Sequence, residues 1–213
     1  NQLISIIIPV FNESESIGYL LDEVLNVMQN NKFNCELIVV NDGSNDNTST
    51  VLDELTIKIK ELSVISLRKN YGQTAAMAAG FDNTKGEIVI TLDGDLQNDP
   101  NDIPKLISHI NEGYDLICGW RYERKDKLIN RRIPSKIANK LIANVTGLKL
   151  HDYGCSLKAF KKEIVDDIKL YGELHRFLPV LANIEGAKIK EIKVNHRSRK
   201  YGSSKYGIDR TFR

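Results

Sequence analysis

Glu87-Ile88-Val89-Ile90-Thr91-Leu92-Asp93-Gly94-Asp95 is a short β-branched, apolar run that halts on two aspartates flanking a glycine. A run of this length without polar alternation is the pattern of a strand buried on both faces. Strands of that kind belong to parallel sheets, whose crossover helices cover both sides, so strand and helix should alternate around it. They do. Upstream, Leu3 to Ile8 is a similar run that Pro9 closes, and Glu13 to Asn31 has helical spacing at Ile17, Leu20, Leu21, Val24, Leu25 and Met28. Leu37 to Val40 reads as a second strand, ended by Asn41-Asp42-Gly43-Ser44. Helical spacing returns at Val51, Leu52 and Leu55, Val64 to Leu67 is a third strand, and the Ala-rich Thr74 to Phe81 is helical. Downstream come a helix over Ile103 to Ile110, a fifth strand over Leu116 to Cys118 and a further strand over Ile189 to Val194. The expected class is α/β, a doubly wound, mostly parallel sheet with helices on both faces. In such sheets ligands bind beyond the carboxyl ends of the strands. The polar clusters after the first, second and fourth strands all fall on that edge.

The totals set the frame. A chain of 213 residues suits one domain with a sizeable core, and 41% hydrophobic with 27% charged residues is ordinary for a globular protein. A net charge of +2 gives no global support to a nucleic-acid partner. Cys35, Cys118 and Cys155 are widely separated and form no CxxC pair, which removes zinc and redox readings and favours a reducing, cytosolic setting. No signal peptide precedes the first strand, and no run approaches the ~20 apolar residues of a membrane span. The ending Asp209-Arg210-Thr211-Phe212-Arg213 carries no helix-terminating signal and is expected to be a truncation.

The acidic pair carries the chemistry. If the extended conformation persists past the fourth strand, residues two apart point to the same side, so Asp93 and Asp95 converge. Gly94 between them would let a ligand come close. Two hard oxygen ligands that leave coordination sites open suit Mg2+ or Mn2+ bridging a diphosphate. The bland alternative is a turn, since Asp-Gly is a common loop dipeptide. Asp42, at the end of the second strand, can accept a hydrogen bond from a base imide or a ribose hydroxyl. Capping of the next helix falls equally well to Ser44, Asn45 or Asp46, which frees Asp42. Glu13 either stabilises a helix amino end or touches ligand.

Ile8-Pro9-Val10-Phe11-Asn12-Glu13, Val40-Asn41-Asp42-Gly43-Ser44 and Leu92-Asp93-Gly94-Asp95-Leu96-Gln97 resemble the family 2 glycosyltransferases of GT-A (Rossmann-like) fold. Arg68-Lys69-Asn70-Tyr71-Gly72-Gln73, Asp152-Tyr153-Gly154-Cys155-Ser156-Leu157-Lys158-Ala159 and Ser203-Ser204-Lys205-Tyr206 are similar to the polyprenyl-phosphate branch. That branch includes dolichyl-phosphate mannose synthase, bactoprenol glucosyltransferases and the undecaprenyl-phosphate aminoarabinose transferase. The resemblance covers essentially the whole chain. It implies that Pro9, Phe11, Glu13, Asp42 and Gly94 surround the nucleotide of a nucleotide-sugar donor. It also implies that Asp93 meets ribose or metal, Asp95 the metal, and Gln97 the sugar or acceptor side. It further implies inversion at the anomeric carbon, a catalytic domain facing the cytoplasm at the inner membrane, and a downstream membrane anchor. On this view residues 1–120 form the donor half of a single domain and residues 121–213 the acceptor-binding, membrane-proximal half.

The second half fits that division. Arg121, Arg124, Lys125, Lys127, Arg131, Arg132 and Lys136 crowd one stretch, beside an amphipathic helical pattern over Ile133 to Val145. Arg197, Arg199, Lys200 and Lys205 form a second basic group. Basic residues beside an amphipathic segment suit an anionic membrane surface and a lipid phosphate. Single residues such as Arg124 and Lys127 read as a solvated face, whereas the resemblance assigns Arg121, Arg131, Ser135 and Lys205 to the polyprenyl-phosphate acceptor. A phosphate monoester, with a second pKa of about 6, is already an anionic nucleophile near neutrality. Asp152 is then a candidate for positioning or base catalysis, or merely part of a turn. RNA would use similar charge, but no aromatic stacking platform accompanies it. A laterally packed homo-oligomer is compatible with the chain. Two rivals are a transferase acting on a saccharide or cell-wall acceptor, against which the QxxRW signature is missing, and a non-catalytic nucleotide-sugar binding module. No GxGxxG follows the first strand, which argues against a dehydrogenase.

Overall fold

A computed structural model of the chain describes residues 2–122 and 146–201. Seven strands form one sheet: β1 (Leu3–Val10), β2 (Asn34–Asn41), β3 (Leu62–Ser66), β4 (Ile88–Thr91), β5 (Leu116–Arg121), β6 (Lys158–Lys161) and β7 (Ile189–Val194). Helices α1 (Ile17–Asn30), α2 (Thr48–Lys58), α3 (Gln73–Phe81), α4 (Ile103–Asn111), α5 (Lys162–Asp167) and α6 (Leu178–Ile184) connect and cover them. The strand order is β3-β2-β1-β4-β6-β5-β7. All neighbouring pairs are parallel except those that β6 makes with β4 and β5.

Alternation along the strands builds the two layers. Ile4, Ile6 and Ile8 face a core shared with Leu20, Leu21 and Val24 of α1, Leu52 of α2 and Leu106 of α4. Ile7 and Val89 face the other way, onto Met77 and Phe81 of α3, Ile164 of α5 and Leu178 of α6. Ile6 and Ile7 are both fully buried. Each such side chain contributes about 1.5–3 kcal/mol from burial, which locks the strand register.

Three boundaries differ from expectation. β1 does not stop at Pro9 but runs to Val10, with Pro9 opposite Val40; a proline without an N–H is tolerated one residue from the end of a strand. α1 starts at Ile17 and not Glu13, because Ser16 and Ile17 donate their N–H groups to the Glu13 carbonyl and form a turn first. β5 extends past Cys118 to Arg121, paired with β7 to the end. The helix expected over Ile133 to Val145 lies outside the described residues, as do Arg131, Ser135 and Lys205. No helix among the described residues is long and apolar enough to cross a membrane.

The reversed strand β6 creates the site. Lys158, its first residue, pairs with Thr91 at the end of β4 and with Cys118 in β5. The segment that leads into β6, residues 152–157, therefore arrives at the same edge where the parallel strands end.

Candidate active site

Asp93 and Asp95 sit just past β4 and are held by different devices. The Asp93 carboxylate accepts from the Gln73 side chain at 2.8 Å, and its own N–H donates to Asn98 Oδ1 at 3.2 Å. Asp95 Oδ1 accepts the Gln97 N–H two residues on, at 3.0 Å, a local turn that places Leu96 at φ 61. Asp95 Oδ2 accepts from Arg199 at 2.6 Å. Glu13 is buried beside them: Ser16 Oγ lies 2.9 Å from Glu13 Oε2 and 2.9 Å from the Gly94 carbonyl, which ties the end of β1 to the aspartate loop.

The acids crowd one another. Desolvation, then the charge of Asp93, and also that of Glu13, raise Asp95 to about 6 against the pull of Gln97 and Arg199. Desolvation likewise pushes Asp93 up, opposed by the Ser156 hydroxyl and the charges of Arg121, Lys158 and Arg199. A buried carboxylate group of this kind calls for a cation. Among the described residues no cluster of three or more His, Cys, Asp or Glu is arranged around a common metal position. One or two carboxylates are the usual protein share of a Mg2+ or Mn2+ site that phosphates and water complete. Asp93 and Asp95 offer hard oxygens of that kind, and Asp95 already draws a positive charge, the Arg199 guanidinium, so their chemistry suits a divalent ion.

Gly94 also answers a packing demand within the protein. A Cβ there would lie 2.7 Å from Val10 Cγ1 and 3.6 Å from Glu13 Cγ, so the bare Cα is required by packing against the end of β1. Asp42 is also more constrained than its strand-end position suggested. Its two oxygens accept the N–H groups of Tyr71 (2.7 Å) and Gly72 (2.9 Å), which pins the entry to α3 and so carries Gln73 to Asp93. Each oxygen has a second lone pair beyond the bond it makes. Gly43 is required beneath that loop, since a Cβ would meet the Lys69 carbonyl carbon at 2.3 Å. Asp46, one of the three residues expected to cap, takes the Thr48 N–H at 2.9 Å.

Across the crevice, Asp152 grips Arg121: Nε to Oδ2 at 2.7 Å and NH2 to Oδ1 at 2.8 Å, with both side chains largely buried. Two parallel charge-assisted bonds hold the carboxylate as an acceptor. This argues against the base role considered for Asp152 and for positioning of Arg121. Glu191 of β7 fixes the same corner by accepting the His151 N–H at 2.9 Å and the Asp152 N–H at 2.8 Å. The buried Lys158 ammonium donates to the carbonyls of Cys155 and Tyr153, bracing the segment that bears Asp152. Gln97 faces residues 195–201, its side chain reaching the Arg197 carbonyl at 3.3 Å. Pro9 and Phe11 stand at the end of β1 on the same edge.

Gln73, Lys158, Glu191 and the Arg199–Asp95 pair were not singled out as site contacts by sequence. Gln73 stands at the end of the Arg68-to-Gln73 motif and could have been found there; the separation of 104 positions between Asp95 and Arg199 leaves no local signal. Two surface clefts, of about 430 and 560 Å3, are lined by none of the candidate residues.

Comparison with known proteins identifies the family and the fold. A family model described as Glycosyl transferase family 2 matches residues 5–169. The dodecaprenyl-phosphate galacturonate synthase of Rhizobium johnstonii is 46% identical over 99% of this chain and 63% of its own length. The undecaprenyl-phosphate 4-deoxy-4-formamido-L-arabinose transferase of Proteus mirabilis is 41% identical over 96% of this chain and 63% of its own. The chain thus spans somewhat under two thirds of these relatives. Among solved structures, glucosyl-3-phosphoglycerate synthase from Mycobacterium tuberculosis, crystallised with Mn2+ and UDP-glucose, superposes with a TM-score of 0.74 at 18% identity, over 99% of this chain and 74% of that one. That likeness establishes a shared GT-A architecture.

Proposed function

The chain belongs to glycosyl transferase family 2, and from that premise we propose that it transfers a sugar, with inversion, from a nucleoside diphosphate donor to a polyprenyl phosphate at the cytoplasmic membrane face. The observation that carries this is the buried carboxylate group of Glu13, Asp93 and Asp95 facing the Asp152–Arg121 pair across the edge of one sheet. One side suits a diphosphate that brings a divalent ion; the other presents a fixed guanidinium to a second phosphate. The relatives named for dodecaprenyl-phosphate and undecaprenyl-phosphate substrates support that class of acceptor.

In this reading Asp93 and Asp95 hold Mg2+ or Mn2+, which when bound neutralises the charge that grows on the departing nucleoside diphosphate. Pro9, Phe11 and Asp42 line the nucleotide, Gln97 faces the sugar, and the outer face of Arg121 orients the acceptor phosphate. Arg131, Ser135 and Lys205 are proposed to join Arg121 there. The phosphate oxygen forms the new bond to the anomeric carbon as the bond to the diphosphate oxygen breaks. The nucleophile is an anion near neutral pH, so no side chain has to remove a proton. This is consistent with an Asp152 already committed to Arg121. Residues 1–120 are the donor half of the domain and residues 121–213 the acceptor half.

The test is transfer itself. Full-length protein, a UDP- or GDP-sugar labelled in the sugar, and polyprenyl phosphate should yield an organic-extractable, acid-labile lipid. UDP-sugars are the first donors to try. Absence of that product across the donor set, with soluble saccharide acceptors labelled instead, would replace this reading with the saccharide-acceptor one.

A further inference from the structure

Residues 195–201 lie as a strap over the aspartate loop, fastened on both sides of Arg199. Before it, the Asn195 N–H donates to Asp102 at 2.6 Å, and His196 bridges to Asn98. The Arg197 N–H donates to the Gln97 carbonyl at 2.8 Å. The Arg197 guanidinium spans Glu23 of α1 (2.6 Å) and Asp99 (2.7 Å). After it, Tyr201 stacks on Tyr19 of α1, centroids 5.8 Å apart and planes within 2°. Between these anchors Arg199 turns inward, 2.6 Å from Asp95 Oδ2 and 3.6 Å from Glu13 Oε1, with 18% of its side chain exposed.

We propose that Arg199 is a built-in counter-ion that keeps the Asp95 cation position closed until phosphate enters the site. A divalent ion on Asp95 would stand within a few ångströms of the Arg199 guanidinium that holds its Oδ2 at 2.6 Å, and like charges that close repel strongly in a partly buried place. A cation arriving alone must therefore strip Arg199 from Asp95 and leave the guanidinium against the new charge. A cation arriving with a diphosphate supplies Arg199 with an anionic partner as it is displaced. Free cation then binds weakly, cation and diphosphate strengthen each other reciprocally, and Arg199 is delivered to the phosphates only when the site is filled. The inference rests on the reading of Asp93 and Asp95 as a divalent-cation site.

Titration of Mn2+ alone, followed by the electron paramagnetic resonance signal of the free ion, tests it. Arg199→Gln removes the charge and should tighten nucleotide-free Mn2+ binding about tenfold or more, whereas Arg199→Lys, which keeps the charge, should stay near the parent. Tyr19→Ala loosens the strap without touching the acids and should give a smaller increase. That variant changes an exposed residue and so decides the matter should Arg199→Gln fail to fold. Unchanged or weaker Mn2+ binding in both Arg199→Gln and Tyr19→Ala overturns the proposal while leaving the cation site standing. Asp95→Asn that binds Mn2+ as the parent does would remove the cation site itself, and the proposal with it.

Discussion

Replacing Asp152 separates positioning from base catalysis. In the folded chain its carboxylate makes two charge-assisted bonds to Arg121, accepts the Gly154 N–H at 3.2 Å, and is about 8% exposed. Arg121 in turn is 15% exposed, so removal of Asp152 leaves a mostly buried cation without its partner. Breaking such a pair from one side costs about 3 kcal/mol. With a urea m-value of roughly 3 kcal/mol per molar for a chain of this size, Asp152→Ala should lower the denaturation midpoint by about 1 M. Asp152→Asn keeps the volume and part of the hydrogen bonding and should cost less. In transfer assays the Asn variant should raise the KM for polyprenyl phosphate, as Arg121 loses its fixed orientation, while the pH profile of kcat keeps its position. A stable Asp152→Asn protein whose kcat falls a thousandfold or so, with the low-pH limb of the profile gone, would be the signature of a lost general base and would refute the reasoning.

Two further perturbations bear on the frame around the site. His175 is buried and its Nδ1 lies 2.6 Å from the Thr74 hydroxyl; desolvation, with the Arg176 and Lys158 charges, lowers its pKa from 6.5 to about 4. The folded state therefore holds this ring neutral where the unfolded chain would protonate it. Its contribution is fully present above pH 6.5 and is lost as pH falls toward 4, about 3 kcal/mol in all, so the stability gap between parent and His175→Leu should shift by that amount across the window. Equal pH dependence in the two proteins would contradict it. Gly94→Ala should destabilise by about 1–3 kcal/mol through overpacking on Val10, and Val10→Ala in the same chain should recover part of the loss; additive losses in chemical denaturation would show that the contact is not responsible.

The parallel strands and their order along the chain were legible because each is a compact apolar run between polar breaks, and the parallel ladder repays such runs with burial on both faces. β6 was not, since Lys158–Lys161 is four residues long with lysine at both ends, and no pattern in it marks a strand. Its reversed direction brings Asp152 and Ser156 to the edge where β4 ends, a consequence of topology that no local spacing encodes. The strand-end acids were visible for the same reason as the strands. Their partners were not. Asp42 was legible as a carboxylate on the edge, but the N–H groups that occupy it come from residues 29 and 30 positions later. Gly94 shows from sequence only that a side chain is unwelcome between the two aspartates; that Val10 is one reason emerges only from the packing. Charge clusters carried least, since Arg121, Arg197 and Arg199 all belong to basic stretches yet each is fixed by an acid far away in sequence.

The central claim is that Asp93 and Asp95 hold a divalent ion to which the donor diphosphate binds. Calorimetric titration of UDP into the chain, with and without Mn2+, for the parent and for Asp95→Asn, tests it most directly. The account predicts UDP binding that strengthens sharply with Mn2+ in the parent and loses that dependence in Asp95→Asn. UDP that binds the parent equally well in the presence of a chelator, or Asp95→Asn with an undiminished Mn2+ effect, would contradict it.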